Sequence, residues 1–167
     1  AEREPELLRE IHAGGHAIGN HTHTHPNMMR LSRAGVADEL RRGRAAVEAA
    51  GVRFAEANGG MLMRPPYGLR RPGTLRAMRA EGYEPVIWSV TCFDWRRTAT
   101  RRSIARHAAE AVGGDIILMH DGSDLEPMAD RSRTIAAAES TLERYTAEGF
   151  EFVTVPELVS ARGSQVI

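Results

Sequence analysis

The sequence predicts an α/β protein built on a parallel sheet covered on both faces, and three observations point there. Segments of helical periodicity alternate with short apolar runs along all 167 residues. Four polar clusters, "HTHTH", "RPPY", "DW" and "MHDG", each follow one of the apolar runs. No linker, repeat or low-complexity tract interrupts the scheme, so residues 1–167 read as one domain, a length that buries one sizeable core.

The elements follow in order. "PELLREIHAGG" has Pro5 in a first-turn position, apolar Leu7, Leu8 and Ile11, and a Gly14-Gly15 stop, so it reads as a helix. "HAIGN" is a short strand. Ser32 caps "RAGVADELRRGRAAVEAAG", whose apolar spacing is helical and which stops at Gly51. "GGMLMRPPYG" is a buried strand broken by two prolines, "RPGTLRAMRAEGY" a helix and "EPVIWSV" an apolar strand. "RRSIARHAAEAVGG" is a helix with a glycine stop, and "DIILMH" a buried strand. "RSRTIAAAESTLERYTAEG" is a helix, "FEFVTV" a strand and "PELVS" a last short helix.

Composition removes several classes. The 22 basic residues, all arginine, balance 22 acidic ones, which gives no electrostatic reason to expect a nucleic-acid partner. The single cysteine, Cys92, excludes an internal disulfide framework and a cysteine-based zinc cluster, and reads as a small buried apolar residue. No run approaches the roughly 18 apolar residues of a membrane span, and none reads as a signal peptide. The chain opens on Ala1 and runs straight into a helical pattern, from which we expect a segment to precede it.

In parallel β/α architectures the active site lies beyond the carboxyl ends of the strands, so the four polar clusters are expected to converge. His21 and His25 are spaced H-x-x-x-H, but Thr22, Thr24 and Pro26 oppose a helix, so a loop must supply the geometry. Two imidazoles suit zinc or another late divalent metal, usually with a carboxylate as third ligand. A polar surface loop with incidental histidines is the alternative, and the convergence of clusters favours metal. Arg64 in "MRPPYG" is placed to orient a carboxylate bidentately, or is a surface arginine beside a proline turn. Asp94 in "FDWRR" is placed to hold a histidine, or to cap a helix beside a core Trp95. His120, at the end of "IILMH", is a general acid or base, or a satisfied core histidine. His12, His16 and His107 read as structural.

Taken together these motifs resemble the NodB-homology polysaccharide deacetylases, carbohydrate esterase family 4, along nearly the whole chain and in order. "GGHAIGNHTHTHP" looks like the family's zinc motif, "RPPYG" its arginine motif, "FDW" the end of its Asp-x-x-Asp-Trp motif and "LMH" its Leu-x-His motif. The resemblance implies a distorted (β/α) barrel lacking its first strand or strands. It implies His21 and His25 as ligands of a divalent metal, zinc before cobalt or nickel, with Thr22 between them and His23 at a variable rim position. Arg64 would orient the catalytic base, and the Tyr67 backbone N–H would help hold an oxyanion. His120 would be the general acid, tuned by Asp94, with Trp95 and Leu118 lining a pocket for the acetyl methyl.

The implied reaction is removal of N-acetyl groups from an N-acetylglucosamine polysaccharide, peptidoglycan or chitin-like, in a secreted or cell-envelope setting. O-deacetylation of acetylated xylan and a non-catalytic carbohydrate- or metal-binding domain are the alternatives. Two departures stand out. The family's T-F-D-D-G segment, source of the base and the third ligand, has no counterpart, since the chain contains no Asp-Asp pair. We therefore expect these 167 residues alone to be inactive, to bind zinc weakly with His23 as an improvised third ligand, and to be poorly soluble. The first aspartate of the Asp-x-x-Asp-Trp motif is Thr91 here, a change expected to shift local hydrogen bonding or substrate preference.

Overall fold

Helix and strand alternate in the computed structural model, which describes residues 1–122 and 129–162. The order is α1 (Pro5–Ala13), α2 (Arg33–Ala49), β1 (Glu56–Ala57), β2 (Gly60–Met63), α3 (Pro72–Ala80), β3 (Tyr83–Pro85), β4 (Val90–Thr91), α4 (Arg101–Ala108), β5 (Ile117–Leu118), α5 (Ser132–Ala147) and α6 (Val155–Arg162). Short 3-10 turns form at Met28–Arg30 and Pro66–Gly68. No helix among the described residues is long and apolar enough to cross a membrane. The chain packs as two compact units, Ala1–Ile87 with Thr154–Ile167, and Trp88–Val153.

In the first unit, Ser32 caps α2 by accepting from the Gly35 N–H at 3.1 Å. Buried Val36, Leu40, Gly43 and Val47 recur at helical spacing along one face of α2. That face meets Met28, Val52, Phe54, Met63, Ala77, Met78 and Tyr83 in one apolar core. β2 pairs in parallel with β3, Met61 opposite Tyr83, and antiparallel with β1 through a two-residue turn. The turn residues Asn58 and Gly59 both have positive φ, 52° and 77°, the backbone that an Asn-Gly hairpin requires.

The expected strand "HAIGN" shrinks to a single bridge, Asn20 to Met63, because the hairpin occupies the start of the β2 edge. Ala55 is inserted there: its N–H donates to the Ile18 carbonyl at 2.8 Å, and its own carbonyl accepts from Leu62 at 2.7 Å. Asn20 takes the edge over one step later, donating to the Leu62 carbonyl and accepting from the Arg64 N–H.

Three further expectations need correction. The run "EPVIWSV" is not one strand: its start forms β3 beside β2, while its end forms β4 in a separate two-stranded parallel sheet with β5. In place of the single covered parallel sheet, the described residues form two small sheets, one of them mixed. "FEFVTV" forms no strand. Its alternating Phe150 and Phe152 rings pack edge-on against Tyr145, with centroids at 5.0 and 6.4 Å. Thr154 instead starts α6, its N–H and hydroxyl both donating to the Glu157 carboxylate at 2.6 Å.

The second unit has a smaller core of Cys92, Ala99, Ile104, Ala108 and Ala137, where α4 lies on α5. Cys92 is buried as expected, and burial pushes its thiol up to about 11, so it stays protonated. Thr100 caps α4 by accepting from the Ser103 N–H, and the Tyr145 hydroxyl donates to the carbonyls of Ala108 and Ala111 at the other end. The helix therefore stops at Ala108, six residues before the Gly114 that ends the sequence pattern.

Gly43 faces the loop that follows Asn20. A Cβ there would lie 2.8 Å from the Asn20 Oδ1 and 3.2 Å from the Thr22 carbonyl, whereas one at Gly73 in α3 would meet nothing within 4 Å. Gly43→Ala is expected to lower stability by about 1–3 kcal/mol through overpacking. Gly73→Ala should be neutral or raise it by roughly 0.4–1 kcal/mol. Urea unfolding of the two variants side by side checks the pair.

Candidate functional site

In the first unit the site residues lie just past the β2 edge. Asn20 is buried, and its side chain is fully engaged: Nδ2 donates to the Leu40 carbonyl at 2.9 Å and to the Tyr83 hydroxyl at 2.8 Å, while Oδ1 accepts the Thr22 N–H at 2.8 Å. The chain then turns sharply, with Thr22 at φ 68° and His25 at φ 56°. Positive φ is rare for residues other than glycine, above all for a β-branched one, and persists only where surroundings over-determine it. Here the Thr22 hydroxyl accepts the His25 N–H at 3.1 Å, and the Glu39 carboxylate on α2 accepts the His23 and Thr24 amides at 3.0 and 2.8 Å.

That turn brings the two expected ligands together. The His21 and His25 rings stand edge-on with centroids 4.8 Å apart, and the Tyr67 ring packs on His25 at the same distance. His21 Nδ1 lies 2.7 Å from the Arg64 carbonyl. A carbonyl can only accept, so Nδ1 carries the proton and Nε2 the lone pair that a metal takes. The donor set fits a late divalent ion as a two-imidazole half-site. Among the described residues no group of three His, Cys, Asp or Glu side chains closes around a metal position. His23 does not join the pair as a third ligand; its Nδ1 lies 4.0 Å from the Glu2 carboxylate.

Arg64 and Tyr67 come from the loop after β2. The Arg64 side chain reaches the Val86 carbonyl, Nε to O 3.4 Å, and burial pushes its guanidinium below its usual pKa. Its main chain, which sequence reading did not consider, holds Asn20 through the N–H and His21 through the carbonyl. Tyr67 has φ 60° and ψ 7° and is 56% exposed.

The second unit builds a separate cluster. Asp94 has no exposed surface, yet its carboxylate is well satisfied. Oδ2 accepts the His120 N–H at 2.7 Å and the Thr134 hydroxyl at 3.4 Å, and Oδ1 lies 2.8 Å from His120 Nδ1. Burial alone pushes this carboxyl up, but the hydrogen bonds from the His120 side chain and backbone outweigh it and hold the pKa below the usual aspartate value. Trp95 packs edge-on against His120 at 5.2 Å and remains 46% exposed. Phe93, itself at φ 53°, bridges Trp95 and His107 at 5.6 and 5.1 Å, with the Arg96 guanidinium over its face at 4.2 Å. Leu118 is buried in β5. Thr91, where the resemblance puts an aspartate, accepts from the Trp88 indole at 2.6 Å.

Sequence reading missed Asn20, Glu39 and Thr134. Glu39 left a visible signal, since it is a carboxylate one residue from Leu40 on the apolar face of α2. Thr134 left none; its hydroxyl meets Asp94 across 40 residues of chain.

Residues 1–86 match the family profile described as polysaccharide deacetylase. A chitooligosaccharide deacetylase of Bradyrhizobium sp. (strain ANU 289) is 31% identical over 161 residues, covering 93% of this chain and 72% of the relative. A peptidoglycan-N-acetylglucosamine deacetylase of Bacillus cereus is 30% identical, covering 95% and 70%. The solved structure of a family 4 carbohydrate esterase from Streptomyces lividans in complex with acetate superposes with a TM-score of 0.75 at 29% identity, over 89% of this chain and 70% of that one.

Asp94 also makes a prediction about acid. Its folded pKa is depressed below an unfolded value of about 3.9. Its contribution to stability is therefore complete above that pH and is lost as pH falls through the folded value. The stability difference between wild type and Asp94→Asn, measured by denaturant unfolding, should shrink as pH falls below about 4.

Proposed function

The chain belongs to the polysaccharide deacetylase family, and from that premise we propose that its residues act in hydrolysing N-acetyl groups on an N-acetylglucosamine-containing polymer of the peptidoglycan or chitin type. The observation that carries the reading is the clamp on His120. A fully buried carboxylate holds both its backbone N–H and its Nδ1, which leaves Nε2 as the nitrogen that exchanges a proton. His120 is the general acid: protonated at Nε2, it delivers that proton to the departing amine, and the Asp94 carboxylate compensates the imidazolium charge. The products are acetate and a free glucosamine nitrogen.

His21 and His25 are the imidazoles that would hold a divalent ion, with zinc ahead of cobalt or nickel. When bound, such an ion supplies Lewis-acid polarisation of the acetyl carbonyl. The Tyr67 N–H, presented by a turn with positive φ, is assigned to the developing oxyanion. Arg64 is assigned to orient the carboxylate that acts as base, and Trp95 and Leu118 to flank the acetyl methyl. Residues 1–167 contain no Asp-Asp pair, so none of them is assigned as that base.

The test is acetate release from N-acetylated chitooligosaccharide by a polypeptide carrying these residues behind an Asp-Asp-Gly segment. His120→Ala should lose ~10²–10⁴-fold in turnover while keeping its zinc content, and His21→Ala should lose zinc. Full activity in His120→Ala would remove the acid assignment. Acetate released only from acetylated xylan would move the substrate to an O-acetyl ester.

A further inference from the structure

The histidine turn is held from outside itself by a residue with no role in the chemistry above. Glu39 lies on the buried face of α2, 9% exposed, and its carboxylate accepts three hydrogen bonds from the turn. Oε2 accepts the His23 N–H at 3.0 Å and the Thr24 N–H at 2.8 Å, and Oε1 accepts the Thr24 hydroxyl at 2.9 Å. Burial would push this carboxyl up, but the hydrogen bonds from Thr24 and His23 outweigh it, so it is ionised and only accepts. The two amides sit between Thr22 and His25, the residues of the turn with positive φ. Without an acceptor both N–H groups would be stranded at a partly buried position, and the turn would have reason to relax to ordinary φ.

We propose that Glu39 is the positioning residue of the histidine pair. By accepting three hydrogen bonds from His23 and Thr24, it sets the turn that carries His21 and His25 to the same face before any ligand arrives. The proposal rests on the reading of His21 and His25 as metal ligands. It extends that reading to a residue that touches neither ring, acting as the outer partners of metal ligands do. Gly43, one turn along the same helix, leaves the clearance that lets Thr22 and Asn20 lie against α2. The carboxylate and the missing side chain therefore act together on one loop.

Two variants separate hydrogen bonding from charge. Glu39→Gln keeps all three bonds, since its oxygen accepts both amides and its N–H donates to the Thr24 hydroxyl. Glu39→Met fills the same space and keeps none. In the wild-type chain, the amides of His23 and Thr24 should be protected from hydrogen exchange, and the His21 ring should show a single Nδ1–H tautomer in its ¹⁵N spectrum. Glu39→Met should lose that protection by roughly tenfold or more and mix the tautomers. Its zinc affinity, read by competition with a chelating dye, should weaken about tenfold, and Glu39→Gln should restore all three readings. Unprotected His23 and Thr24 amides in the wild type would overturn the proposal without any variant. So would a Glu39→Met chain with the wild-type tautomer, or a Glu39→Gln chain as impaired as Glu39→Met. The metal assignment fails separately, if wild type binds no zinc or if His21→Ala binds it as wild type does, and the exchange and tautomer readings then still decide the role of Glu39.

Discussion

A peptide N–H that leaves a sheet loses its ladder partner, and where it remains buried something else must accept it. This constraint governs the two loops that carry His21, His25 and His120. After the bridge at Asn20, the next five amides need acceptors, and four are taken in turn by Asn20, by Glu39 twice and by the Thr22 hydroxyl. After β5, the His120 amide is taken by Asp94. Side chains with oxygen acceptors thus do, one amide at a time, what a neighbouring strand does elsewhere, and in doing so they fix where the imidazoles stand.

The same loops concentrate unusual backbone. Among the described residues, five other than glycine have positive φ, and four of them, Thr22, His25, Tyr67 and Phe93, lie in or beside the histidine, proline and aspartate motifs. Each such conformation costs of order 1–3 kcal/mol and is retained only under outside constraint. The fifth, Asn58, is in an ordinary hairpin turn suited to its residue type. Strain and buried polar acceptors therefore coincide, and the rest of each unit provides the rigid, apolar support that holds them.

The two buried carboxylates do different work with similar physics. Both are pushed up by burial and brought back below their usual pKa by donors. Glu39 spreads its acceptors over a stretch of main chain and orders a loop. Asp94 concentrates two on a single histidine and so fixes how that ring stands. Both carboxylates accept hydrogen bonds from groups that other segments of the chain present, which is why burial does not neutralise them.

By itself the sequence determined the class of elements, because helical spacing, caps such as Ser32 and apolar runs are local properties. It also determined the candidate residues, because four motifs in order carry a family likeness that composition could not. The lengths and pairings of the strands were decided only in three dimensions. "HAIGN" looked like a strand, but the hairpin at Asn58-Gly59 takes half of its edge, and the hairpin signal was there to be read in the dipeptide. "FEFVTV" has the alternation of a strand, but its rings find Tyr145 before its backbone finds a partner. His21, His23 and His25 are equivalent in the sequence, each two residues apart. Tertiary structure separates them, because the Arg64 carbonyl meets the His21 ring, Tyr67 packs on the His25 ring, and Glu39 takes the backbone of His23. Those partners come from 16 to 43 residues away in the chain, and a contact at that separation exists only once the core between its ends has formed.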